Sequence, residues 1–205
     1  CVLETADDVW YKALERQMAQ NGLLIQSNRI AALKKISSAQ ENSTTTFPIA
    51  ELSLSKTNGD LTTDEDEFVK ALSENRQLDV MAGRTLIGPH RSDMEANYKE
   101  KGISAKDSST GEQKAMLISI VLANARALKL ELGYPPVILL DEISAHLDID
   151  RRGALYEEIN ALGAQAWMTG TDKNLFSEFG CKAKYFHVIE SSGISDIKEV
   201  DFSVD

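Results

Sequence analysis

The sequence predicts an α/β chain, with a mostly parallel sheet and its helices over residues 83–205 and a helical region, carrying a returning strand and helix, over 1–82. Three observations lead there. Residues 5–39 hold apolar side chains at helical spacing. Val137-Ile-Leu-Leu140 is a continuous apolar run, the pattern of a parallel strand covered on both faces. Beyond it, segments of helix and strand length alternate almost to the end.

Over residues 5–39, Asp7 and Asp8 suit a helix's first turn, where the dipole favours negative charge. Val9, Leu14, Met18, Leu24, Ile25, Ile30, Leu33 and Ile36 mark its apolar face, with a kink or split expected at Asn21-Gly22. QENSTTT ends it. FPIAELSLS (47–55) reads as a half-exposed strand and Thr57–Asp60 as a turn. Thr63 is a suitable cap for a helix to Val80 with Phe68, Leu72 and Leu78 on one face. Its acidic start, Asp64 to Glu67, suits a solvated first turn better than a metal site.

Gly83 and Gly88 have the glycine spacing of a P-loop, but Pro89 and His90 stand where Lys and a hydroxyl are needed. No other stretch matches. The polar segment GPHRSD (88–93), with His90 and Arg91, has three possible uses: a turn with a local ion pair, a nucleotide contact, or a nucleic-acid contact. Residues 94–106 read as a hairpin.

KDSSTGEQK (106–114) opens the next helix. Ser109 and Glu112 fit a capping box. Gly111 does not follow from capping, since Gly costs about 1 kcal/mol against Ala inside a helix. It suits a backbone that something must approach closely, and exposed amides at a helix start suit phosphate. The helix to Leu132 is apolar around most of its circumference and should be buried. Gly133-Tyr-Pro-Pro stops it.

Asp141 and Glu142 follow the apolar run at the strand's carboxyl end, where open α/β sheets bind ligands. The pair suits either a plain strand end or chemistry: Asp141 holding Mg²⁺, through water, and Glu142 deprotonating an attacking water. Asp150 is the expected cap of a helix to Leu162. Strands at 165–169, 185–189 and 194–200 and a short helix at 172–179 complete the chain. His146 and His187 have no metal-ligand spacing, and His187 reads as a core-edge residue.

Bulk properties bound the function. The chain has 205 residues, 42% hydrophobic, enough for an ordinary core. It contains no apolar run near 18 residues, so no membrane partner is expected. Two cysteines, Cys1 and Cys181, suit a reducing cytoplasm. A net charge of −10, with 22 Lys and Arg against 32 Asp and Glu, disfavours a free-standing nucleic-acid binder. The start at Cys1 suits a piece of a longer protein.

With these residues in view, the chain resembles the RecF family of DNA-repair ATPases, relatives of SMC and ABC proteins. GPHRSD resembles the family's GPHR-x-D element, SSTGEQK its signature loop, VILLDE Walker B and SAHLD (144–148) the D-loop. A weaker likeness runs through VWYKALERQMAQNG. The resemblance implies the C-terminal portion of an ABC-type ATPase head lacking the P-loop, with residues 1–82 as a helical arm. It implies ATP and Mg²⁺ as cofactors and an ATP-dependent homodimer. Ser109 and Gly111 would contact a phosphate held by the other subunit, Asp141 would support Mg²⁺, Glu142 would be the base, and Asp148 would reach across the dimer. It further implies DNA binding at gaps, RecO- and RecR-like partners, recombinase loading and a place in the SOS response. ABC ATPases carry a switch His after the next strand; Thr171 is the nearest candidate here. Two rivals stand beside this reading: a nucleotide-independent protein-interaction module and a fragment of an ABC transporter ATPase.

Overall fold

The computed structural model describes residues 8–43, 45–55, 63–142, 147–191 and 193–201. The expected turn at Thr57–Asp60 and the residues Cys1, Asp7, Ser144, Ala145 and His146 lie outside them. The chain forms two compact units: Cys1–Glu41 with Ile49–Ser108, and Asn42–Pro48 with Ser109–Asp205. The expected boundary at 82/83 falls within the first.

In the first unit, α1 (Asp8–Glu41) is one continuous helix, without the expected break at Asn21-Gly22. Gly22 serves close packing. A Cβ there would stand 2.7 Å from Phe68 Cε1 of α2 (Glu65–Ala82). The buried positions of α1 are Glu15, Ala19, Gly22, Ala39 and Gln40, whereas Val9, Leu24, Ile25 and Ile30 of the expected apolar face are exposed. Small residues take the contact because they let a second helix approach.

The cap of α2 is Asp64 rather than Thr63. Its carboxylate accepts from the Glu67 amide at 2.9 Å. Phe68 and Leu72 are buried with Ala19, and Leu78 is exposed. Gly83 closes α2 at φ 65°, so the first glycine of the false P-loop is a helix cap.

Three antiparallel strands complete this unit: β1 (Ala50–Leu54), β2 (Met94–Tyr98) and β3 (Ile103–Ser104). Ala50 faces Tyr98 and Leu54 faces Met94. The Gln40 amide pairs with both backbone groups of Ala50, donating at 3.0 Å and accepting at 2.9 Å, and so satisfies a buried strand start. The expected hairpin is present, shortened because Ala105–Asp107 coils into a 3-10 turn.

The second unit holds α3 (Thr110–Leu132), β4 (Ile138–Leu140), α4 (Ile149–Leu162), β5 (Ala166–Met168), a 3-10 segment (Lys173–Lys182), β6 (Tyr185–Ser191) and β7 (Ile194–Val200). Ile118 and Leu122 of α3, Ile138 and Leu140 of β4, and Leu155 and Ile159 of α4 share its core with Phe47. Arg126 and Glu158 form an ion pair between α3 and α4.

The parallel pairing expected of this region is β4–β5, with Ile138 facing Ala166 and Leu140 facing Met168. β6 and β7 are antiparallel because a tight turn through Gly193 (φ 77°) joins them. The full coverage expected of α3 and β4 is not found. Ile138 and Leu140 are buried, yet Leu139 between them is 73% exposed. Leu117 and Leu130 of α3 are exposed as well. His187, expected at the core edge, is exposed on β6.

Candidate functional site

The start of α3 is a complete capping box. The Glu112 amide donates to Ser109 Oγ at 3.4 Å, and the Ser109 amide donates to Glu112 Oε2 at 2.8 Å. The Ser109 hydroxyl also donates to Glu112 Oε2, at 2.7 Å. Gly111 lies one residue into the helix, and a Cβ there would meet nothing within 4 Å. No described neighbour in this chain therefore requires glycine at 111.

The second cluster stands at the carboxyl end of β4. The parallel register continues one residue beyond β5, where the Thr169 amide donates to Leu140 O at 3.0 Å. This brings the Thr169 side chain to the acid pair. Its hydroxyl donates to Asp141 Oδ1 and accepts from the Glu142 amide at 3.0 Å. Both acids are exposed, and the second Asp141 oxygen has no partner among the described residues. Glu142 has φ 50°, a left-handed backbone that is uncommon outside glycine.

A hard cation fits this arrangement. Mg²⁺ typically takes one or two carboxylates and completes its shell with water and phosphate oxygens. Asp141 offers one such oxygen, and the described residues contain no cluster of three or more His, Cys, Asp or Glu that would form a protein cage.

Asp148, rather than the expected Asp150, caps α4 by accepting from the Arg151 amide at 2.8 Å. Asp150 lies in the first turn. Thr171 is exposed and makes no hydrogen bond among the described residues. Thr169, two positions earlier, is the hydroxyl that meets the acids. Sequence reading passed over it because nothing marks it until the β4–β5 register is known.

His90 and Arg91 belong to the first unit. They lie on the 3-10 turn Pro89–Arg91, where His90 Nε2 hydrogen-bonds Thr85 O at 2.9 Å. Arg29 of α1 braces the turn by donating to Pro89 O and to Ser92 Oγ. The Arg91 Nε is shielded from solvent with no hydrogen-bond partner among the described residues.

No family model matches the chain. Curated proteins do. It is 44% identical over 191 residues to the DNA replication and repair protein RecF of Rhizobium leguminosarum bv. trifolii (strain WSM2304), covering 90% of this chain and 51% of that protein. The RecF of Rhizobium meliloti (strain 1021) is 44% identical over 189 residues, covering 89% and 50%. The chain belongs to the RecF family. It spans about half the length of the curated RecF proteins it matches. Among solved structures, the recombination mediator RecF with ATP, of the RecFOR pathway, superposes with a TM-score of 0.66 at 20% identity, over 96% of this chain and 52% of that one. The fold is thus that of RecF, a mixed α/β architecture. No described helix is long and apolar enough to cross a membrane.

Proposed function

We propose that these residues form the signature and Walker B part of a RecF-type ATPase that acts in DNA repair. The observation that carries this reading is the acid pair Asp141–Glu142 at the carboxyl end of a parallel strand, tied to the neighbouring strand by Thr169. The solved RecF named with ATP supports the choice of nucleotide.

In this reading the nucleotide lies between two copies of the protein. Residues outside this chain hold its phosphates in a P-loop, and Ser109 and Gly111 of the other subunit close on the terminal phosphate. The open space above Gly111 and the amides at the α3 start suit an approaching anion. Asp141 would hold Mg²⁺ through water; when bound, the ion neutralises charge on the phosphate oxygens. Glu142 takes the proton of the attacking water. Asp148, besides capping α4, reaches the partner subunit, and Thr171 stands near the place of the switch residue. Residues 1–82 form the arm, with DNA at gaps, RecO- and RecR-like proteins, and a cytoplasmic setting as the remaining parts of the proposal. His90 and Arg91 keep three uses, a structural turn, a nucleotide contact or a nucleic-acid contact, and the bracing of that turn by Arg29 and the His90–Thr85 bond favours the first.

The test is ATP turnover by the full-length protein and its Glu142→Gln variant. Loss of a general base typically lowers the rate about 10²–10⁴-fold. The variant should keep ATP binding and accumulate as an ATP-bound dimer. Unchanged turnover would remove Glu142 from this role.

A further inference from the structure

Two hydrogen bonds meet on the Thr169 hydroxyl, and their direction is fixed by chemistry. A backbone amide can only donate, so the Glu142 N–H takes an acceptor site on Oγ1. The single hydroxyl proton then goes to Asp141 Oδ1. The order is Glu142 N–H to Thr169 Oγ1, and Thr169 Oγ1–H to Asp141 carboxylate. One side chain thus touches both acids, the first through its carboxylate and the second through its backbone.

Thr169 is itself held on two sides. Its amide continues the parallel ladder to Leu140 O at 3.0 Å, which fixes its backbone to the strand that carries the acids. Gly170 follows in tight contact, since a Cβ there would stand 2.9 Å from Phe176 Cζ and 3.2 Å from Leu175 Cδ1. The segment bearing these residues is anchored in turn. The Tyr156 hydroxyl of α4 donates to Leu175 O at 2.5 Å, and the Tyr156 ring packs on Phe179. A β-branched residue in such a frame has little χ1 freedom, so its hydroxyl is a fixed point.

The Glu142 backbone needs such a point. A left-handed φ outside glycine is strained and persists where surrounding contacts hold it. The bond from its amide to Thr169 is such a contact. Likewise, the hydroxyl occupies one Asp141 oxygen and leaves the other for a cation.

We propose that Thr169 is a positioning residue for hydrolysis: it sets the rotamer of Asp141 and the backbone from which Glu142 works, without touching nucleotide. This rests on the reading of Asp141 and Glu142 as the hydrolytic pair. Removing the hydroxyl takes away no group that binds ATP. It loosens the acids, and misplacement by about 1 Å can cost about 10²-fold in rate.

The experiment uses the full-length protein with Thr169→Val, Thr169→Ala and Thr169→Ser, beside Glu142→Gln. Turnover, KM for ATP, the Mg²⁺ concentration for half-maximal rate, hydrogen exchange of the peptide containing Glu142, and urea midpoints are measured together. For Thr169→Val and Thr169→Ala, kcat should fall about 10–100-fold with KM within about threefold, the signature of an interaction realised in the transition state. The Mg²⁺ requirement should rise and the Glu142 amide should exchange faster, with an unchanged urea midpoint. Thr169→Ser, which keeps the hydroxyl, should stay within about threefold of the parent in kcat. Wild-type kcat in Thr169→Val, or Thr169→Ser as slow as Thr169→Val, overturns the role of Thr169 while a slow Glu142→Gln leaves the hydrolytic reading standing. Glu142→Gln at the parent rate overturns that reading, and the hydrolytic role of Thr169 with it.

Discussion

Arg76 grips Glu15 with both arms of its guanidinium: Nε donates to Oε1 at 2.8 Å and a terminal nitrogen to Oε2 at 3.0 Å. Glu15 is only 6% exposed on α1, so the pair is the polar centre of the α1–α2 contact. Arg76 also lies over the Tyr11 ring, 4.6 Å from its centroid. The bond to Glu15 is the main reason the guanidinium holds its proton more tightly than an ordinary arginine.

Arg76→Met should therefore destabilise the first unit, because it leaves the Glu15 carboxylate on the α1–α2 contact without its partner. Replacing both residues with apolar ones should recover most of that loss. Urea unfolding of the two variants checks it; equal midpoints for Arg76→Met and parent would refute the assignment.

Asp8, at the exposed start of α1, should make stability weakly pH-dependent. Hydrogen bonding to Lys12, then its charge, and more weakly Arg76, hold the Asp8 carboxyl below its ordinary value of 3.8. The folded state thus prefers the charged form. Its contribution is present above 3.8 and is lost as pH falls below that value. In Asp8→Asn, the acid limb of the unfolding curve should flatten slightly, with no change in the pH dependence of stability near neutrality.

Ser109→Arg should block ATP-driven dimerisation of the full-length protein while leaving ATP binding by the monomer intact. The new side chain would stand where the other subunit's phosphate approaches the α3 start. The capping box would be lost too, at a cost of about 1 kcal/mol, so Ser109→Ala serves as the stability control. Light scattering with ATP decides it: a dimer of normal size in Ser109→Arg would show that the loop does not face nucleotide.

The 205-residue chain alone should bind neither Mg-ATP nor DNA at micromolar concentrations. It contains no glycine-rich loop ending in Lys and Ser or Thr. Its charge balance, 22 basic against 32 acidic residues, opposes the counterion release that drives non-specific DNA binding. Exposed Leu139, Trp167 and Val188 should make it self-associate. Calorimetry with Mg-ATP and a mobility shift at low salt are the measurements. Micromolar ATP binding by this chain would move the nucleotide site elsewhere.

Leu155→Ala should cost 2–5 kcal/mol, the range for large-to-small changes in a closed core. Leu155 is fully buried in the cluster that backs β4, so a destabilised core should also loosen the strand carrying Asp141. A smaller loss, below about 1 kcal/mol by thermal unfolding, would mean that this part of the core collapses to fill the gap.

Local chemistry let the sequence alone fix several elements. The capping box at Ser109 and Glu112, the stop at Gly133 and the acid pair after an apolar strand each depend on residues within a few positions of one another. The family could be read from the same short stretches, because motif residues sit where backbone conformation is dictated locally. Packing decided the rest. Apolar spacing on α1 placed Met18 against the core but also named Val9, Leu24, Ile25 and Ile30, which are exposed, since α2 approaches over Ala19 and Gly22, and nothing in α1 itself records that neighbour. Gly22 looks like a breaker in sequence and is a contact point in space. Thr169 is the clearest case: 27 residues separate it from Glu142, and only the parallel register of β4 and β5 sets its hydroxyl on both acids. Hydrogen bonds across that distance follow from strand pairing, a property of the fold that no residue near Asp141 encodes.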